Sequence, residues 1–196
     1  VPDRAGPALA QIPDDDREAI ARNCAALVRF EADRVIARVQ DIVSRQPHIG
    51  EDSLVALALP VVFEHRLDGS FLGLSRSLST DAMLISEPMV VDVKFGEPRE
   101  FHRLTTTAYA MVMESVYEYP VDIGCLVYVS FAGGRVSVTR DLHIIDDELR
   151  QQFIEERDTK MRIVFEEIDP GKGETCHPSC PYYDECAQAG AQTKNG

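Results

Sequence analysis

Met89-Val90-Val91-Asp92-Val93-Lys94 sets a carboxylate and an ammonium into a run of valines. Successive side chains of a strand point to opposite faces, so Asp92 and Lys94 share one face and Val91 and Val93 the other. Two readings fit charges two apart on an apolar strand. One is an ion pair on a half-exposed sheet, because Asp-x-Lys is a short and common string. The other is phosphodiester hydrolysis, in which the carboxylate holds a divalent cation and the lysine orients the attacking water or neutralises the pentacovalent phosphate. Asp81 opens the preceding strand, and an antiparallel meander brings it beside Asp92 as a second oxygen ligand. Oxygen ligands of this kind favour magnesium or manganese over zinc.

The flanking segments resolve into further elements. Residues 82–85 read as a short strand separated from 89–94 by Ser86-Glu87-Pro88, and 57–67 (LALPVVFEHRL) as a β-rich stretch closed by Asp68-Gly69. Upstream, Ile20, Leu27, Val28, Val35, Val39, Ile42 and Val43 recur at helical spacing between the carboxylates Asp14, Asp15 and Asp16 and the stop at Gln46-Pro47, which predicts one long amphipathic helix. Cys24 falls on that stripe as a packing residue. Downstream, 98–117 takes a helical period, and 124–131 (GCLVYVSF) is a buried central strand with Cys125 as a small hydrophobe. Gly133-Gly134 turns it into 135–142. Residues 146–167 form a third, charged helix with Leu149, Phe153, Met161, Val164 and Phe165 on its inner side. The order of elements makes the class α/β, a sandwich of helices and strands with a cluster-bearing appendage. The expected organisation is an arm at 1–13, one domain over 14–170 and a cysteine segment at 171–196.

On the second helix His102 and Tyr109, seven residues apart, face the same way, with the hydroxyls of Thr105, Thr106 and Thr107 between them in reach of a phosphate; plain packing competes with this. Arg150, Arg157, Lys160 and Arg162 are interrupted by Glu155, Glu156 and Asp158 and read as a solvated, ion-paired face. His48 and His143 show no partner in the sequence, and His65 and Arg66 read as exposed sheet positions.

Three of the five cysteines, Cys176, Cys180 and Cys186, crowd into one loop with His177 and two prolines. Thiolates this close repel one another unless a metal holds them. Two fillings compete: an iron–sulfur cluster with a fourth ligand from elsewhere, or a structural zinc completed by His177. Lys+Arg 20 against Asp+Glu 33 leaves a net charge of −13, so long-range attraction to nucleic acid is excluded and a DNA contact must be made locally, whereas a basic protein partner is suited. No apolar run reaches the roughly 20 residues that span a bilayer, so no membrane is expected and the chain reads as soluble and cytoplasmic.

Taken together, an aspartate, Asp-x-Lys on the next strand, a helix carrying a tyrosine and a terminal three-cysteine knuckle resemble RecB-like nucleases of the PD-(D/E)xK fold, which implies an α/β core with a central mixed sheet flanked by helices. The chain is more closely similar to the CRISPR-associated Cas-four family, in particular its Csa-one subtype. The residues carrying this are LVALALP (54–60), LDGSFLGLS (67–75), Asp81, VVDVKFG (90–96), FHRLTTTAYAMVMES (101–115), PVDIGCLVYVSF (120–131) and the C-x3-C-x5-C ending. The resemblance implies a metal-dependent DNA exonuclease or endonuclease that trims single-stranded overhangs of prespacer DNA next to a short motif before the CRISPR integrase inserts it. By the same resemblance Asp81, Asp92 and the Val93 carbonyl are metal ligands for manganese or magnesium, and Lys94 is the catalytic lysine. Tyr109 matches the tyrosine of a Q-x-x-x-Y motif in which Thr105 replaces the glutamine. Cys176, Cys180 and Cys186 match three ligands of an iron–sulfur cluster, 4Fe–4S in preference to 2Fe–2S. The family's N-terminal cysteine and active-site histidine have no match before the first helix, and Cys24 does not substitute, so an upstream segment is expected. The alternative function is a weakly catalytic iron–sulfur or zinc module that docks on the integrase, which the acidic balance suits.

Overall fold

The structure, a computed structural model, describes residues 13–84, 88–169, 171 and 183. The chain divides into two compact units, Val1–Phe153 and Ile154–Gly196. The first contains α1 (Asp14–Arg45), α2 (Glu51–Ala58), β1 (Val61–Leu67), a short 3-10 turn (Ser70–Leu72), β2 (Leu78–Leu84), β3 (Met89–Phe95), α3 (His102–Tyr117), β4 (Ile123–Ala132), β5 (Arg135–Ile144) and the start of α4 (Asp147–Phe165). Among the described residues no helix is long and apolar enough to cross a membrane.

The five strands pair in the order β1-β2-β3-β4-β5. All neighbours are antiparallel except β3 and β4, which run parallel because α3 carries the chain back between them. The sheet is therefore mixed and flanked by helices, as the family resemblance implied. α3 covers the face presented by Val90 and Met83, and with Ala110, Val112, Met113, Val121 and Ile145 these side chains form the core. The turn from β4 to β5 needs two residues at positive φ, and Gly133 (56°) and Gly134 (75°) supply them. Arg150 fastens the start of α4 to the end of α3: its guanidinium bonds Glu114 Oε2 at 2.6 Å and Oε1 at 2.9 Å, and Asp122 Oδ1 at 2.8 Å. The expected solvated position is thus a half-buried clamp. In the second unit Lys160–Glu156 and Arg157–Asp158 pair as expected.

Several sequence expectations change. The stretch expected as β-rich from 57 begins as helix, because Glu51 and Asp52 favour a helix start and the chain leaves α2 only at Leu59, ahead of Pro60. The long first helix runs unbroken for 32 residues, yet Ile20, Val28 and Val43 on its apolar stripe are exposed, and so is Cys24. Cys125 is buried, as read, and burial raises its thiol pKa. Met161, Val164 and Phe165 are exposed, and of the apolar positions expected inside α4 only Phe153 is buried. His143 is buried with a partner after all: its Nε2 lies 3.0 Å from Thr106 Oγ1. Gly124 makes room for that pair, since a Cβ there would stand 2.5 Å from His143 Nε2.

Candidate active site

β3 alternates as its sequence demands, with Val90 wholly buried and Asp92 4% exposed on the α3 side. An aspartate reaches such a position only with compensation, and the nearest charge is the Lys94 ammonium, 2.8 Å from Asp92 Oδ2. Beyond that ion pair, the buried Oδ2 has no hydrogen-bond partner among the described residues. Burial raises the Asp92 carboxyl pKa above its ordinary value; Lys94 opposes the shift and the charge of Asp81 adds to it.

Asp81 enters from β2. The ladder pairs Ala82 with Val91, and one further step places Asp81 opposite Asp92. There the side chain takes over from the backbone: Asp81 Oδ2 accepts the Val93 N–H at 2.7 Å. The N–H and C=O of one strand residue point to the same edge, so the Val93 carbonyl also faces the Asp81 side. Tyr109, two turns into α3, is half-buried above this pair; burial first, then Asp92 and Asp81, raise its hydroxyl pKa. The fold thus assembles Asp81, Asp92, Val93, Lys94 and Tyr109 around one end of the β2–β3 pair.

The donor set fits a hard divalent cation. Two carboxylates and a carbonyl are oxygen ligands of the class Mg²⁺ and Mn²⁺ take, with water filling the remaining positions, and an unsatisfied buried carboxylate oxygen is a ligand position already desolvated. Among the described residues no group of three or more His, Cys, Asp or Glu stands close enough to hold a metal by side chains alone, so a cation here would also need the carbonyl and water. Cys176, Cys180 and Cys186 lie outside the described residues.

On α3 the two readings of the sequence divide between residues. The Thr106 and Thr107 hydroxyls turn back to the Arg103 carbonyl, each at 2.8 Å, and so do not serve a phosphate. His102, which the sequence placed between packing and function, stands at the site: its Nδ1 lies 3.1 Å from the Tyr128 hydroxyl, and burial, then Lys94 and Arg99, lower its pKa, with Asp92 opposing. The missed signal was Tyr128, the β4 register partner of Lys94, which could not be paired with it without the parallel crossover.

A family model described as CRISPR-associated exonuclease Csa1 matches residues 6–189. Over 150 residues the chain is 35% identical to the CRISPR-associated exonuclease Csa1 of Saccharolobus solfataricus, covering 76% of this chain and 51% of that protein. Over 161 residues it is 30% identical to the protein of the same name from Thermoproteus tenax, covering 82% and 56%. The chain spans about half the length of these curated relatives. Among solved structures it is similar to one described as the crystal structure of SSO0001, at 14% identity, 73% of this chain, 79% of that one and a TM-score of 0.35, a likeness too low to carry an argument.

Proposed function

The chain belongs to the CRISPR-associated exonuclease Csa1 family, and on that premise we propose that it carries the hydrolytic centre of a divalent-metal-dependent DNA nuclease with a RecB-like, PD-(D/E)xK core. The observation carrying this reading is the buried Asp92 Oδ2, which has the Lys94 ammonium beside it and no further partner among the described residues. A purely structural ion pair would be expected to be fully satisfied. Asp81, Asp92 and the Val93 carbonyl are the ligands of manganese or magnesium, which when bound supplies Lewis-acid stabilisation of phosphate charge and an acidified water. Lys94 places a second positive charge against the phosphate, and Asp92 keeps that ammonium in position. Tyr109 closes the site over the carboxylates and limits water around them.

The substrate in this reading is prespacer DNA whose single-stranded overhangs are trimmed next to a short motif before integration. The CRISPR integrase is the partner, and the charge of −13 suits a basic surface on it. Cys176, Cys180 and Cys186 hold an iron–sulfur cluster that fastens the C-terminal segment. The second reading, a docking module with little activity, draws on the same charge.

The test is cleavage of end-labelled duplexes carrying single-stranded overhangs, with Mn²⁺, by the wild-type chain and Lys94→Ala. The wild type shortens the overhangs and the variant is slower by about 10²-fold or more with an unchanged circular dichroism spectrum. Equal rates would remove Lys94 from the chemistry; no cleavage by either, with integrase still captured, would favour the docking module.

A further inference from the structure

On the β4 side of Lys94, away from Asp81, the start of α3 and the loop before it gather an aromatic and basic group. Phe101 is 56% exposed. The His102 ring meets it edge-on at 4.7 Å, and the Arg99 guanidinium lies 5.8 Å from its centroid. His102 in turn is held by Tyr128, itself buried and placed beside Lys94 by the β3–β4 register. Phe101 is not among the core side chains and adds little to them. Arg99 makes no ion pair among the described residues.

This arrangement has the parts of a nucleotide subsite. An exposed ring offers a stacking surface to any base whose face is free, and a base within a duplex has none to give. The Arg99 guanidinium over one face of that ring, with no ion pair of its own among the described residues, supplies a local phosphate contact to a chain whose overall field repels phosphate. When the Tyr128 hydroxyl donates to His102 Nδ1, the neutral imidazole carries its proton on Nε2, which makes it a donor to an oxyanion.

We propose that Arg99 and Phe101 hold the unpaired nucleotide next to the scissile phosphate, Phe101 stacking on its base and Arg99 contacting its phosphate, and that His102 Nε2–H, oriented by Tyr128, donates to a non-bridging oxygen of the phosphate at Lys94. This rests on the nuclease reading of Asp92 and Lys94. It makes single-stranded DNA the preferred occupant through stacking, and gives His102 a direct contact and Tyr128 a positioning role.

Binding of fluorescein-labelled dT10 and of an abasic strand of equal length, measured in Ca²⁺ without turnover, separates stacking from charge. Phe101→Ala should weaken dT10 about 5- to 100-fold and the abasic strand less than about twofold, from the worth of one stacked base, while Val28→Ala, an exposed site on α1, changes neither. Equal loss on both strands, or none, would overturn the stacking role. In Mn²⁺, His102→Leu should lower kcat about tenfold or more through loss of one phosphate donor, and His102→Gln, which keeps an N–H, should recover most of it. Tyr128→Phe should lower kcat with KM unchanged; a loss confined to thermal stability, or no recovery in His102→Gln, would make the pair structural. A wild type that cleaves while Phe101→Ala matches it in binding and rate rejects the subsite alone. A wild type that neither cleaves nor binds dT10 rejects the nuclease reading and the subsite together.

Discussion

Asp92 and Asp141 stand on the same row of the sheet, one on each side of Leu126, yet they are opposites in electrostatics. Asp141 receives two parallel bonds from Arg103, Nε and NH2 each at 2.9 Å, and those bonds lower its carboxyl pKa. Asp92 has only the single Lys94 ammonium, and burial raises its pKa. An arginine fork matches a carboxylate edge to edge, whereas a lysine is a point charge that leaves lone pairs unused. One row thus holds a finished structural pair and an unfinished one, and the unfinished one is where Asp81 and Tyr109 converge.

The largest difference to probe is in cleavage. Asp92→Asn should cost about 10²-fold or more in rate, whereas Asp141→Asn should stay within about threefold, because under the proposed function only the former removes charge stabilisation from the reacting phosphate. Similar losses in both would erase the distinction. A smaller effect tests the packed half of the row: Gly124→Ala forces a Cβ to 2.5 Å from His143 Nε2 and should cost about 1–3 kcal/mol in chemical denaturation, with cleavage per folded molecule retained.

The smallest effects are in the pH dependence of stability, measured with EDTA, and they carry opposite signs. The lowered pKa of Asp141 contributes stability above the ordinary carboxyl range that disappears as pH falls through its folded value. Asp141→Asn should therefore be destabilised at neutral pH, by about 1 kcal/mol because the pair is partly solvated, and should approach wild type in acid. The raised pKa of Asp92 does the reverse: its contribution is complete below the ordinary carboxyl value and is lost as pH rises through the folded one. Asp92→Asn should gain on the wild type as pH rises. Parallel pH slopes for the two variants would mean that the carboxylates share one environment.

What the sequence displayed was local. The alternation in MVVDVK, the Gly133-Gly134 turn and the apolar run of β4 each follow from a few adjacent residues, and each is in place. The helix α2 was hidden because eight residues ahead of a strand hold too few turns to show a period. A meander places Asp81 beside Asp92, but the switch of its side chain onto the Val93 N–H depends on where the ladder stops, which no local pattern displays. His102 with Tyr128, and His143 with Thr106, join residues 26 and 37 apart through the crossover, which no neighbouring residue encodes. Nor does the sequence separate Asp92 from Asp141: both are aspartates in alternating strands, and the partner on α3 decides which is finished.

Mn²⁺ binding, followed by the loss of the free-ion electron paramagnetic resonance signal, asks without any substrate whether Asp92 and Asp81 receive a cation. The chain and its Asp141→Asn variant should each take up Mn²⁺ at this site with the same affinity, and Asp92→Asn should lose that site. Binding by Asp92→Asn equal to that of the wild type would contradict the assignment of this end of the β2–β3 pair as a metal centre.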